Sequence, residues 1–545
     1  MKLSRRMLLG LALGATQVGL LERFGLNRAS AGPPAGGPTK LLSIWVPGGL
    51  NHEQIWCALS DAGIAKYIPA PAGGDEPYFY NAQMVQNYDG TTGGDGVYQK
   101  IRGPIWWNQA NPAMNDLTTV NPASGGKQIF VPWGYSWVSK DLTSQAVFER
   151  AVMLHGVDQG TAAHGSGQVA SLCGVAGADF RAPAIAAVVA NAMLPLFPDR
   201  VLPSVSVGGV LDPVALSTTS NPISGAASPI YLTSAASLEH TISDHPDSAW
   251  AGLRARTSVD ELGFDGTPTG KKLPVTPMDA QSMKALRALK GASTAGTDAL
   301  LGQLQDTYAG VSRALAADVV NILGKTKGVE HLPAAVPWAP KSGRFGYLLG
   351  YADGGSSSAW DSDFDLTLRL LKSDLVTSVT LRVAGANNMA YDTHDPPAAN
   401  RHVNNLRGTF EVIGRLILEM MMTPSTLQSG KSLLDDTVVH IFSDFGRTFA
   451  TPLGGTDHHP ATTVILLGGN LHGNRMIGGY DETASGTPLG KPVDIIDIEE
   501  GSTSTTSRVP RAADAAATVY RAFGLQAGTD FFIPGGYGEI KGALG

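Results

Sequence analysis

Leu41-Leu42-Ser43-Ile44-Trp45-Val46, followed at once by Pro47-Gly48-Gly49, carries the signature of a buried strand cut off by a tight turn. Six uncharged, mostly apolar residues suit a strand covered on both faces, and a Pro-Gly-Gly sequence ends it. Working outward, similar short apolar runs occur at 151–154, 376–383, 437–442 and 463–467, each followed by glycine or by a polar cluster. Helical patterns separate several of them. Between 383 and 437, for example, Leu406, Phe410, Ile413, Leu416, Ile417 and Met420 fall on one apolar helix face. This alternation predicts an α/β fold with a large, mostly parallel sheet between helix layers. Open sheets of this kind collect ligands at the carboxyl ends of their strands, which is where the polar clusters of this chain lie.

The composition agrees. The 545 residues are 43% hydrophobic and 16% charged, which excludes a disordered or fibrous chain. Lys and Arg total 40 against 47 Asp and Glu, a formal charge of -7, so there is no broad basic field for nucleic acid. The 66 glycines and 34 prolines point to many turns and long loops. Residues 59–148, with Trp106-Trp107, Trp133 and Trp137 but little periodicity, are expected to form a loop-rich insertion over the sheet or its mouth. Residues 279–325 read as helix, with Leu300, Leu304, Tyr308, Val311, Leu315, Val319 and Ile322 as a core-packing stripe. Cys57 and Cys173 are either one disulfide or two buried thiols.

The first 31 residues read as an export signal. Ser4-Arg5-Arg6-Met7-Leu8-Leu9 is a twin-arginine pattern, a weakly apolar run follows to Leu21, and Ala29-Ser30-Ala31 suits signal peptidase. Residues 8–21 are too short for a membrane span and contain Thr16 and Gln17. The expectation is a signal peptide over 1–31, a Pro/Gly-rich linker over 32–38 and an α/β domain over 39–545. The twin-arginine export machinery would deliver this domain to the periplasm or beyond it. No later segment is apolar for long enough to span, so no transmembrane span is expected in the mature chain. Twin-arginine export carries folded chains, often with a cofactor loaded, which agrees with a metal site.

Six of the 12 histidines, His394, His402, His440, His458, His459 and His472, fall within less than a sixth of the chain. Asp392-Thr393-His394 puts a carboxylate and an imidazole two residues apart in a loop, a spacing that lets both face one ion. Asp444 ends the 437–442 strand, and Asp457-His458-His459 precedes the next one. Converging in space, the three clusters would offer mixed oxygen and nitrogen ligands to one or two divalent ions (Zn, Ca, Mg or Mn). Against this, carboxylates at strand ends often cap the following helix. His440 alternates within an apolar strand and reads as a core histidine. Arg447 offers a guanidinium fork for a substrate oxyanion, with pairing to Asp444 or a helix end as the alternative. Near the amino end, Gly48-Gly49-Leu50-Asn51-His52-Glu53 exposes polar groups after the first strand. The second strand leads to Thr161-Ala162-Ala163-His164-Gly165-Ser166-Gly167, with helix expected from Val169 and Ser166 as a nucleophile or a cap.

The order of these motifs, from Gly48-Gly49-Leu50-Asn51-His52 through His164 to Gly174, Phe345-Gly346, Tyr391-Asp392-Thr393-His394 and Asp444-Phe445-Gly446-Arg447-Thr448 to Asp457-His458-His459-Pro460, resembles the DUF1501 family of exported bacterial proteins. That family is grouped with the alkaline phosphatase-like and sulfatase-like superfamily. The resemblance implies a large parallel-rich sheet between helix layers and metal-dependent chemistry on phosphate or sulfate esters. It also implies that Asp392, His394, Asp444, Asp457 and His458 bind the ions, with His402 or His459 as an extra ligand. His164 falls where the superfamily nucleophile would lie, so His164 or His52 would act as general acid, base or nucleophile, and Arg447 would hold the oxyanion. The sulfatase Asp-His pair at the strand end is Asp444-Phe445 here, and the family's G-G-P-S-H-x-D is altered to Gly48-Gly49-Leu50-Asn51-His52-Glu53-Gln54. Two functions follow: an exported hydrolase of small anionic esters, or a non-catalytic relative serving as a periplasmic or cell-surface binding or assembly protein.

Overall fold

The computed structural model describes residues 36–50, 142–175, 182–208, 319–332, 358–383, 392, 394, 398–447, 457–473, 475–478, 504–526 and 536–545, with shorter pieces between them. Eight strands form one sheet: β1 (Lys40–Trp45), β2 (Ala151–Asp158), β3 (Leu202–Val207), β4 (Ile230–Leu232), β5 (Val376–Arg382), β6 (Thr437–Phe442), β7 (Ala461–Gly468) and β8 (Arg475–Gly478). Their order is β8-β2-β7-β6-β1-β5-β3-β4. Every neighbouring pair is parallel except the two made by β7, which runs antiparallel between β6 and β2. The expected mostly parallel sheet is therefore present, with one reversed strand.

Helices cover both faces. Alternation along β1 sends Leu42 and Ile44 into one apolar core and Leu41 into the other. The first core is completed by α3 (Val319–Lys325), α4 (Ser358–Lys372) and α5 (Ala398–Met422). The second is completed by α1 (His164–Cys173), α2 (Ile185–Met193) and α6 (Ala512–Ala522). The apolar face read at 406–420 lies on α5, where Phe410, Ile413, Leu416, Ile417 and Met420 are buried. Buried on both sides, β1 tolerates Lys40 only at its first position, where the ammonium pairs with Asp374. Arg200 reinforces that edge, donating to the Thr39 carbonyl at 2.5 Å and to Thr39 Oγ1 at 2.8 Å.

The opposite edge holds the carboxyl ends of β1, β2, β5 and β6, together with the start of the reversed β7. After β1 the chain turns through Gly48 and Gly49, whose φ values of 105° and 92° are open to glycine at little cost. After β6, Gly446–Arg447 pairs antiparallel with His458–His459, with Arg447 opposite His458. Helix begins at His164, five residues before the expected start. This lets α1 approach the end of β6 so closely that a methyl group at Gly167 would lie 2.2 Å from the Asp444 carbonyl oxygen.

Of the 279–325 segment only 319–325 are described, and they are helical. Most of the 59–148 insertion lies outside the described residues, although Trp137 is buried and donates to the Phe410 carbonyl at 2.5 Å. Residues 1–35, which include the expected signal peptide, also lie outside them. Among the described residues no helix is long and apolar enough to cross a membrane.

The packing at Gly167 gives a direct test. Gly167→Ala should destabilise the protein by about 1–3 kcal/mol in denaturant unfolding, since the added methyl meets backbone that cannot easily move. Gly165→Ala, where no atom lies within 4 Å of the added methyl, should be close to neutral.

Candidate functional site

Side chains from five separate stretches meet at the carboxyl edge. Asp444, two residues after β6 and only 2% exposed, accepts three hydrogen bonds. Trp45 Nε1 donates to its Oδ1 at 2.8 Å, while the Gly48 N–H and His164 Nδ1 reach Oδ2 at 3.1 and 2.7 Å. Both oxygens are engaged. A carboxylate can only accept, so His164 Nδ1 carries the proton and Nε2 of the neutral ring keeps its lone pair. That Nε2 atom is buried, makes no hydrogen bond, and faces Asp392 Oδ2 at 3.5 Å.

The same arrangement recurs at two more imidazoles. His458 Nδ1 donates to the Ala162 carbonyl at 2.8 Å, leaving Nε2 3.1 Å from Asp392 Oδ1. His394 Nδ1 lies 3.1 Å from Asp457 Oδ1, and its Nε2 is 2.9 Å from Asp392 Oδ1 and 3.0 Å from His458 Nε2. Each ring is therefore fixed by an oxygen acceptor behind it and turns its second nitrogen toward Asp392. Such outer partners are what orient histidines that bind metal.

His164, Asp392 and His458 form a triad whose ligand atoms lie within 4.8 Å of one another. Tetrahedral coordination with bonds of about 2.0–2.1 Å places ligand atoms roughly 3.3 Å apart, close to the spacings found here. Lone pairs on neutral imidazoles repel a carboxylate at these distances, so the cluster calls for protons or a metal ion between its members. The residues thus fit a divalent ion by both donor type and direction.

Arg447 is 0% exposed and donates through Nε and Nη2 to the Gly48 carbonyl at 2.9 and 2.6 Å and through Nη2 to Asp392. Burial pushes the Asp392 carboxyl up, but the Arg447 guanidinium beside it outweighs this and brings its pKa down to about 2. The bond to Asp444 raises the His164 pKa above its ordinary value against the opposing effect of burial. Phe445 lines the back of the cluster, its ring centroid 4.7 Å from that of His164 and 4.2 Å from that of His458.

The other sequence candidates are placed as follows. His459 accepts from the Ala461 N–H at 3.1 Å. His440 is buried in β6, stacks on Phe442 at 4.5 Å, and burial brings its pKa down to about 3. His472 accepts from Arg475 at 3.0 Å. Ser166 Oγ lies 2.7 Å from Thr161 Oγ1. His402 belongs to α5, though its side chain is not described, and His52 lies outside the described residues. Sequence reasoning did not identify Trp45, Gly48 and Ala162 as the partners that hold the site. Only Trp45 left a signal, since an indole at the end of a buried strand needs an acceptor for its N–H.

A family model described as "Protein of unknown function (DUF1501)" matches residues 280–521, a span that includes Asp392, His394, Asp444, Arg447, Asp457 and His458 but not His164. No curated protein and no solved structure matches the chain.

In chelator-treated protein the His164–Asp444 bond should make stability pH-dependent. Because the folded-state pKa is raised, the contribution is fully present below about 6.5, the ordinary value, and is lost as pH rises through the raised value. The difference in melting temperature between the native chain and Asp444→Asn should be larger near about pH 5.5 than near about pH 8.5. An equal difference at both would show that the imidazolium is not held by Asp444.

Proposed function

We propose that the chain is an exported metal-dependent hydrolase of phosphate or sulfate esters, built around one divalent ion held by His164, Asp392 and His458 at the carboxyl edge of the sheet. The observation that carries this reading is the buried, unbonded Nε2 of His164, aimed at Asp392 from a ring whose other nitrogen is tied to Asp444. An imidazole-rich donor set favours zinc or a similar transition metal over calcium or magnesium. A divalent ion there supplies positive charge that polarises an ester oxygen and acidifies water.

The side chains divide the work. Asp444 and Asp457, expected from the sequence as ligands, serve instead as acceptors behind His164 and His394. Arg447, expected to grip an oxyanion, keeps Asp392 ionised and in place. His164 acts as a ligand where the sequence suggested acid–base or nucleophilic chemistry. Support for export comes from the twin-arginine pattern at residues 4–9.

The burial of Arg447, whose Nε and Nη2 are turned to the Gly48 carbonyl and to Asp392, favours a second reading. In that reading the ion is structural and the chain is a non-catalytic binding or assembly protein.

Elemental analysis of the purified mature chain should find about one divalent ion per molecule, lost in Asp392→Ala; a native chain without metal after growth with zinc and manganese would refute the centre. Asp444→Asn should weaken metal affinity by about 10–100-fold. Aryl phosphate, phosphodiester and sulfate substrates should be turned over by the native chain and not by Asp392→Ala. A fully loaded chain that hydrolyses none of them selects the structural reading.

A further inference from the structure

We infer that His394 is an exchangeable fourth ligand, the one donor that gives up its place at the centre to an oxygen of an incoming phosphate or sulfate group. This rests on the metal-centre reading above and adds to it the direction and chemistry of access. The difference lies in how each imidazole is anchored. His164 stands at the start of α1 and is held by Asp444, a carboxylate that is 2% exposed and takes two further hydrogen bonds. His458 lies in the short hairpin with Arg447 and is held by a backbone carbonyl. His394 is 45% exposed, and its anchor Asp457 is 74% exposed.

An exposed pair of this kind contributes little to stability, so swinging the His394 ring away costs far less than moving either of the others. Its Nε2 nevertheless sits as close to Asp392 Oδ1 as that of His458 does, at 2.9 against 3.1 Å. It therefore completes the donor set when no other ligand is present. Zinc sites that keep four protein ligands are structural, and those that open one position to substrate are catalytic. A weakly anchored fourth histidine allows the centre to be both in turn. Charge sets the class of ligand: Asp392, Asp444 and Asp457 outweigh Arg447, so an anion is admitted only once a divalent ion has offset them.

Cobalt(II), whose visible spectrum reports coordination, is titrated into the chelator-treated full chain, followed by inorganic phosphate. The native chain should bind one equivalent of cobalt, and phosphate should change the spectrum as it displaces the imidazole. His394→Ala should still bind cobalt, within about 10–100-fold of the native affinity, and should take phosphate more tightly. Asp457→Asn removes no donor atom from the cluster and only loosens the anchor; its phosphate affinity should rise by about two- to fivefold. Circular dichroism checks that both variants are folded. If His394→Ala loses cobalt as completely as Asp392→Ala, or if neither variant gains affinity for phosphate, His394 does not exchange and the inference is overturned while the centre stands. If the native chain itself binds no cobalt, the centre fails and the inference with it.

Discussion

A buried carboxylate must have its charge met by hydrogen bonds, and at Asp444 three separate segments are required to do so. The indole of Trp45 comes from the last residue of β1, the Gly48 N–H from the turn that follows, and His164 from the first residue of α1. If any of these moved, an ionised group would be left in the protein interior without its full set of donors. The preceding residue ties the same elements together. Ser443 Oγ donates to the Val46 carbonyl at 2.6 Å and accepts from the Gly49 N–H at 3.1 Å, while Ser171 Oγ donates to the Ser443 carbonyl at 2.5 Å. His164 is thus aimed by the sheet and the helix together, which is how a side chain at the edge of a loop region acquires a fixed direction.

The peptide groups flanking the Gly48 α-carbon serve both halves of the cluster. The Gly48 N–H goes to Asp444, and the Gly48 carbonyl takes two donors of Arg447, which in turn holds Asp392. Burial lowers the Arg447 pKa, with Asp392 opposing the shift, and breaking one partner of such a pair would strand the other charge in the interior. An ionised Asp392 facing three imidazoles is therefore a consequence of the turn after β1. The positive φ at Gly48 is what allows the two flanking peptides to point at these partners.

The strands at 41–46, 151–154, 376–383, 437–442 and 463–467 were legible because unbroken apolar runs are a strong signal, and all five lie in the sheet. β3 was not. Its sequence Leu202-Pro203-Ser204-Val205-Ser206-Val207 is broken by proline and serine, although every residue is buried. β4 and β8 are too short to stand out, and an apolar run carries no direction, so the reversal of β7 was invisible. The start of α1 was missed because Gly165 and Gly167 depress helix propensity, whereas the approach to Asp444 demands small residues there. At the site the residue types were legible and the atoms were not. Sequence shows that Asp and His cluster, but which ring nitrogen carries the proton depends on acceptors such as the Ala162 carbonyl, a backbone group that no residue letter reveals.

Phe445 shows how an apolar side chain can shape a polar centre. It is fully buried, and a methyl group at Gly49 would fall 2.6 Å from its ring. Its contacts with His164 and His458 close the inner side of the cluster with carbon, which offers neither a ligand for a second ion nor a partner for water. The exposed side chains of the cluster are His394 and Asp457. The aromatic wall behind His164 and His458 therefore leaves His394, 45% exposed, as the imidazole nearest solvent beside Asp392.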